Sequence, residues 1–282
     1  VSSDLEVPVG PLAVRFWGVR GSLPTPGPST LRYGGDTPCL EILVDGQRVV
    51  VDCGSGARRL GLKMLGEPPG PLDILFTHSH LDHICGLPFF KPAYNAACNI
   101  KLWAGHLRDA QEHQEVLARL MSPPIFPLPT SALRACQFRA FDAGRTIILQ
   151  GGIEVDTVRL NHPGGATGYR FRHAGHSLCV ITDHEHGNPE IDADVAAFVA
   201  GADIMIYDAM YTALDYPRYA GWGHSTWEEA TALARRAGVR TPVIFHHDPT
   251  RSDDALDEIA AAAADAYPGA VVAREGLVLS AG

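Results

Sequence analysis

The chain has 282 residues, enough to bury a sizeable core, and 46% of them are hydrophobic, an ordinary share for a globular protein. Its 23 basic and 32 acidic residues give a formal charge of −9, and no basic run offers the face that a long nucleic acid needs. No stretch reaches the ~20 apolar residues of a membrane span, residues 1–10 show no leader pattern, and six scattered cysteines without a CxxC read as reduced thiols, so a cytoplasmic protein is expected.

Residues 12–18 read as a strand and 21–35 as a loop rich in Gly and Pro. Residues 39–44 and 47–52 form an expected hairpin, because Asp45-Gly46 suits a tight primed turn. Residues 54–65 have helical spacing. Residues 72–76 are a short apolar run, hence a buried strand. Residues 82–97 can open a helix that Pro88 and Pro92 limit. Residues 106–120 read as an amphipathic helix, and 122–129, with four prolines, as a loop too short to separate domains. In the back half, 153–160, 167–172 and 177–182 read as strands, 192–199 as a helix and 203–207 as a strand. Residues 226–237 read as a helix capped by Ser225 or Thr226, with Glu228 and Glu229 in its first turn. Residues 243–246 read as a strand and 253–266 as an alanine-rich helix. Both halves run from strands to helices without a break in composition, so a single domain over 1–282 is expected, with sheets packed together and helices outside.

Chemistry concentrates in Thr77-His78-Ser79-His80-Leu81-Asp82-His83. Side chains two apart in an extended segment point the same way, so His78 and His80 can grip one cation. Where the chain turns towards a helix, Asp82 and His83 are redirected and can face a second. Imidazole with carboxylate suits zinc, with manganese or iron as alternatives. Further ligand-type residues stand at the carboxyl ends of expected strands: His162, Asp183, and His246 with His247. Asp183 can bridge two cations through its two oxygens. Alternation along a strand lets only one of His246 and His247 face the site, and His246 is the expected one.

This series, with His162, Asp183 and His246 following the HxHxDH cluster, resembles the ligand set of the metallo-β-lactamase superfamily. In order and character it is similar to the branch holding ribonuclease Z and cyclic-phosphate phosphodiesterases, over nearly the whole chain. The resemblance implies an α/β fold, an αββα sandwich of two mixed β-sheets flanked by helices. It implies that His78, His80 and His162 hold one metal, Asp82, His83 and His246 the other, and that Asp183 bridges. Gly223-His224-Ser225-Thr226 resembles a segment whose histidine protonates the leaving oxygen, and Asp208 in Asp208-Ala209-Met210-Tyr211 resembles the acid that orients it. On this likeness His224, Asp82 and Asp208 are the expected catalytic residues. Two Zn²⁺ are the expected cofactors, a phosphodiester is the substrate, and a homodimer is admitted. The long basic arm with which ribonuclease Z clamps transfer RNA has no counterpart here. A cyclic nucleotide, another cyclic phosphate or a short RNA end is therefore expected, rather than a long nucleic acid. Lactonase, thioesterase or sulfatase activity, or a metal sensor without turnover, are the alternatives.

Other residues invite a role. Asp52-Cys53-Gly54-Ser55-Gly56 looks like the superfamily's DxGxG turn, with Asp52 supporting the metal loop through hydrogen bonds. Arg20 or Asp36 can face the site from glycine turns. His184 and His186 can line a pocket. Tyr211, Tyr216 and Trp222 can stack a base, although packing is the commoner use of such aromatics.

Overall fold

The computed structural model describes residues 10–282. Residues 1–9, which carry most of the leader reading, lie outside the described residues. Two seven-stranded sheets face each other. The first contains β1 (Leu12–Gly18), β2 (Cys39–Val44), β3 (Gln47–Val51), β4 (Pro71–Phe76), β5 (Asn99–Ala104) and β6 (Cys136–Ala140). The second contains β7 (Thr146–Ile148), β8 (Glu154–Leu160), β9 (Ala166–His173), β10 (His176–Ile181), β11 (Ile204–Asp208), β12 (Thr241–Phe245) and β13 (Val271–Val272). The last strand, β14 (Val278–Ala281), crosses back to pair with β1. The orders are β14-β1-β2-β3-β4-β5-β6 and β13-β12-β11-β10-β9-β8-β7. Each sheet is antiparallel on one side and parallel on the other. Both are mixed, as the sandwich expectation required.

Period-two alternation feeds three apolar layers. Leu12, Val14, Phe16, Leu40, Ile42, Val49 and Val51 meet Val155, Tyr169, Phe171, Val180, Ile206 and Phe245 between the sheets. The alternate residues of the same strands, such as Val50, Ile74 and Phe76, face outward under α1 (Ala57–Met64) and α3 (Ala110–Leu120). On the far side Cys179, Ile181, Met205, Tyr207 and Ile244 pack under α4 (Pro189–Val199), α5 (Trp227–Ala237) and α6 (Asp253–Ala266). Both faces of the central strands are covered, which explains why they read as continuous apolar runs.

Local signals set several boundaries. Asp45 and Gly46 both take positive φ, 49° and 77°, the primed turn expected between β2 and β3. Thr226 Oγ1 accepts from Glu229 N at 3.1 Å and Ser252 Oγ from Ala255 N at 3.2 Å, starting α5 and α6. The helix expected from 82 is a single turn, α2 (Leu81–Ile84). It stops because Gly86 N turns to Cys53 O, and the prolines that follow allow only 3-10 turns. All six cysteines are free. No helix among the described residues is long and apolar enough to cross a membrane.

Candidate metal centre and active site

The carboxyl ends of β3, β4, β8, β10, β11 and β12 meet at one rim of the sandwich. Three residues leave their strands there in the left-handed region: Asp52 at φ 62°, Asp183 at 60° and His246 at 63°. For residues other than glycine this costs about 1–3 kcal/mol each, so the surrounding bonds must fix them. β12 ends at Phe245, one residue earlier than expected. The backbone turn at His246, rather than strand alternation, sends that side chain inward. His247 turns away and donates from Nε2 to Ala273 O at 2.8 Å.

All seven expected ligands come together. Asp183, buried, divides its carboxylate. Its Oδ2 faces His78 Nε2 at 3.6 Å and His162 Nε2 at 3.7 Å. Its Oδ1 faces His83 Nε2 at 3.2 Å and His246 Nε2 at 3.3 Å. Asp82 Oδ2 joins the second set, 3.3 Å from His83 Nε2 and 3.2 Å from His246 Nε2. His80 Nδ1 joins the first, 3.0 Å from His162 Nε2. Donor atoms of His78, His80 and His162 lie within 4.8 Å of one another, as do those of Asp82, His83 and His246. Asp183, Asp208, His224 and His246 form a further group on the same criterion.

The ring orientations come from bonds on the far side of the site. Asp52 accepts from His83 Nδ1 at 2.8 Å, from Thr77 N at 2.8 Å and from Thr77 Oγ1 at 2.9 Å. His162 Nδ1 donates to Gly223 O at 2.8 Å. Each bond leaves Nε2 as the nitrogen facing the cluster. Gly223, at φ 89°, must be glycine, because a Cβ would lie 2.2 Å from His162 Nδ1. At Gly21 a Cβ would meet the His246 ring at 2.6 Å. The next residue, Ser22, donates its N–H to Asp82 Oδ2 at 2.7 Å.

These residues fit divalent cations. His78 Nε2 is buried and without a hydrogen-bond partner, although it points at a carboxylate. Burial, reinforced by the neighbouring His83, holds the His78 imidazole well below its ordinary pKa, so it is neutral with a free lone pair. Burial alone would push the Asp183 carboxyl up, yet His246, His83 and His78 hold it well below the usual carboxylate range. His83 is the reverse case. Burial disfavours its charge, but Asp183, Asp82 and Asp52 hold it protonated, so a cation at its Nε2 must displace a proton.

His224 stands beside this cluster, its ring stacked on His246 with centroids 5.0 Å apart. Nδ1 donates to Asp208 Oδ2 at 2.8 Å and lies 3.8 Å from Asp183 Oδ2. Burial opposes its charge, but Asp208 above all, then Asp183 and Asp82, push its pKa up to about 9. A cleft of 390 Å³ adjoins the metal loop, lined by His106, Arg108, Arg159, Leu160, Gly165 and Ile191 among others. His106 Nε2 and Ser79 Oγ are 2.6 Å apart, linking the cleft to the His78–His80 segment.

The remaining candidates have structural places. Arg20 is fully buried and donates to the carbonyls of Gly34, Asp248 and Arg251, and Asp36 accepts from Ser55 Oγ. His184 Nδ1 accepts from Asn161 N, and His186 pairs with Ser225 Oγ. Tyr211 is buried and stacked on Tyr219, Tyr216 is bonded to Glu185, and Trp222 is 63% exposed. Sequence reasoning missed Glu185, a buried acid two residues after Asp183. Spacing carried no signal for it, because Asp183 leaves the extended chain at φ 60°.

The family model described as "Beta-lactamase superfamily domain" matches residues 47–247. Among curated proteins, the ribonuclease Z of Bradyrhizobium diazoefficiens is 24% identical, with 93% of this chain and 97% of that protein covered. Among solved structures, the metallo-beta-lactamase fold protein YhfI from Bacillus subtilis superposes with a TM-score of 0.71 at 18% identity, covering 96% of this chain and 99% of that one. Human tRNase Z, short form, gives a TM-score of 0.64 at 17% identity, covering 95% and 98%. At such identities the structural likenesses establish the fold.

Proposed function

This chain belongs to the β-lactamase superfamily, and from that premise we propose that it is a dinuclear-metal hydrolase of phosphodiester bonds. Cyclic nucleotides, other cyclic phosphates and short RNA ends are its proposed substrates. The observation that carries this reading is the Asp183 carboxylate, whose two oxygens face two separate sets of imidazoles. We assign His78, His80 and His162 to one cation, Asp82, His83 and His246 to the other, and Asp183 to both. Zinc is the first choice for such donors, with manganese or iron as alternatives.

When bound, the cations supply Lewis acidity and lower the pKa of water from 15.7 towards about 7. The protein's own residues do the rest. Asp52 and the Gly223 carbonyl hold the His83 and His162 rings in the ligating tautomer. Asp82, fixed by Ser22 N, has an oxygen among the donors and helps position the attacking water. Asp208 keeps the proton on His224 Nδ1, which leaves Nε2 to give a proton to the leaving oxygen. Protonation of His224 near neutral pH suits that task.

A small substrate, rather than a long nucleic acid, is favoured by the charge of −9. The names of the curated relatives favour RNA, and short RNA ends satisfy both. The test is turnover of bis(p-nitrophenyl) phosphate by zinc- and manganese-loaded protein, followed by cyclic nucleotides, cyclic dinucleotides and RNA 3′ ends. Diester cleavage that vanishes with chelator is expected. Lactone or thioester turnover without diester cleavage, or metal binding without turnover, would replace this reading.

A further inference from the structure

The segment that delivers His224 has little regular structure of its own. Between β11 and α5 it makes one 3-10 turn, Tyr216–Arg218, and ends in Gly221-Trp222-Gly223, with both glycines near φ 90°. Asp208, His186 and Arg251 hold other parts of it, and Glu185 holds the amides of both glycines. Glu185 is buried, and its Oε1 accepts from Gly221 N at 2.6 Å and Tyr216 Oη at 3.0 Å, while Oε2 accepts from Gly223 N at 2.7 Å. Hydrogen bonds to an ionised acceptor are the strong kind, and a buried carboxylate needs them. Glu185 is itself laced to the neighbouring segment. Its N–H donates to Asn161 O at 2.8 Å, and Asn161 Nδ2 donates to Glu185 O at 2.8 Å. Asn161 precedes His162. Gly223 accepts from His162 Nδ1 and precedes His224. Glu185 therefore joins the segments bearing Asp183, His162 and His224, through its backbone to Asn161 and through its carboxylate to Gly221 and Gly223.

We propose that Glu185 is a positioning residue that sets both the His162 imidazole and the reach of His224. It fixes Gly223, whose carbonyl holds the His162 tautomer and whose C-terminal neighbour is the proton donor. The part concerning His224 rests on the phosphodiesterase reading above, and the part concerning His162 needs only cation binding. Outer bonds of this kind change metal affinity or activity by about 10–100-fold, and a misplacement of about 1 Å costs about 10²-fold in rate.

The test compares wild type, Glu185→Gln and Tyr216→Phe. Glutamine keeps the shape but turns an NH₂ group towards a backbone N–H, whereas Tyr216→Phe removes one donor and leaves both glycine bonds. Three quantities are read: zinc affinity by chelator competition, amide hydrogen exchange at residues 221–224, and kcat and KM for a p-nitrophenyl and an alkyl diester. In Glu185→Gln, zinc affinity is expected to fall about 10–100-fold and the Gly221 and Gly223 amides to lose protection. The alkyl ester, which needs the proton more, should lose more kcat than the p-nitrophenyl ester, with little change in KM. A residue that merely stabilises the fold would lower both esters alike. Tyr216→Phe should stay within a few-fold of wild type, by the ordinary worth of one hydrogen bond. Wild-type zinc affinity and exchange in Glu185→Gln would overturn the proposal. So would unprotected Gly221 and Gly223 amides in the wild type, a measurement that needs no variant to fold. If wild type cleaves no diester, the functional reading fails alone, and zinc affinity and exchange still decide the role of Glu185.

Discussion

His224 Nδ1 and Asp208 Oδ2 are joined by a buried hydrogen bond of 2.8 Å, which fixes the tautomer of an imidazole stacked on a proposed metal ligand. From this pair His224→Ala is expected to lower kcat by about 10²–10⁴-fold while leaving metal content unchanged. Elemental analysis and diester kinetics on the same preparation check it. Wild-type turnover by the variant would remove the assignment.

Asp208 raises the proton affinity of His224 and is otherwise shielded from the solvent. A proton donor must be charged to act, so activity should fall as pH rises through its pKa. Without cations that value is about 9, and cations held by Asp183 and Asp82 would bring the fall to lower pH. Asp208→Asn should move the alkaline limb of kcat further down, and His224→Ala should abolish it. An unchanged limb in both variants would assign it to another group.

Asp52 receives three hydrogen bonds, from Thr77 N, Thr77 Oγ1 and His83 Nδ1. Asp52→Asn sets an NH₂ group against donors, and zinc affinity should drop about 10–100-fold. The metal-free protein should lose about 1–3 kcal/mol of stability as well. Chelator competition and urea titration read the two effects separately.

His113 gives a pH test away from the metals. It is buried between the rings of Phe76 and Phe138 and donates to Arg139 O at 3.1 Å. Burial lowers its pKa from 6.5 to about 4. Between those values the unfolded chain binds a proton that the folded chain refuses. The His113 contribution is therefore fully present above pH 6.5 and is lost as pH falls, by about 2 kcal/mol at pH 5. In urea titrations of metal-free protein, His113→Leu should flatten the stability decline between pH 7.5 and 5 relative to wild type. Equal slopes would show that His113 does not contribute.

The sequence was most readable where chemistry is contiguous. His78, His80, Asp82 and His83 lie in one short run after an apolar strand, and that strand is β4. The α5 start was readable because Thr226 caps it locally. β5, β6, β7, β13 and β14 carried no comparable signal. β6 reads Cys-Gln-Phe-Arg-Ala at a half-exposed edge, β13 has two residues, and β14 depends on β1 at the other end of the chain. The site was legible residue by residue, but the backbone turns that aim Asp52, Asp183 and His246 were not. A positive φ in an aspartate or histidine leaves no mark in composition or spacing. Glu185 was missed for a related reason, since its three donors come from loop residues far along the chain.

The central claim is that two cations share the Asp183 carboxylate. Anomalous scattering at the zinc edge from crystals grown with excess zinc tests it most directly. Two peaks are expected, one among His78, His80 and His162 and one among Asp82, His83 and His246, with Asp183 between them. A single peak, or zinc bound away from these side chains, would contradict it.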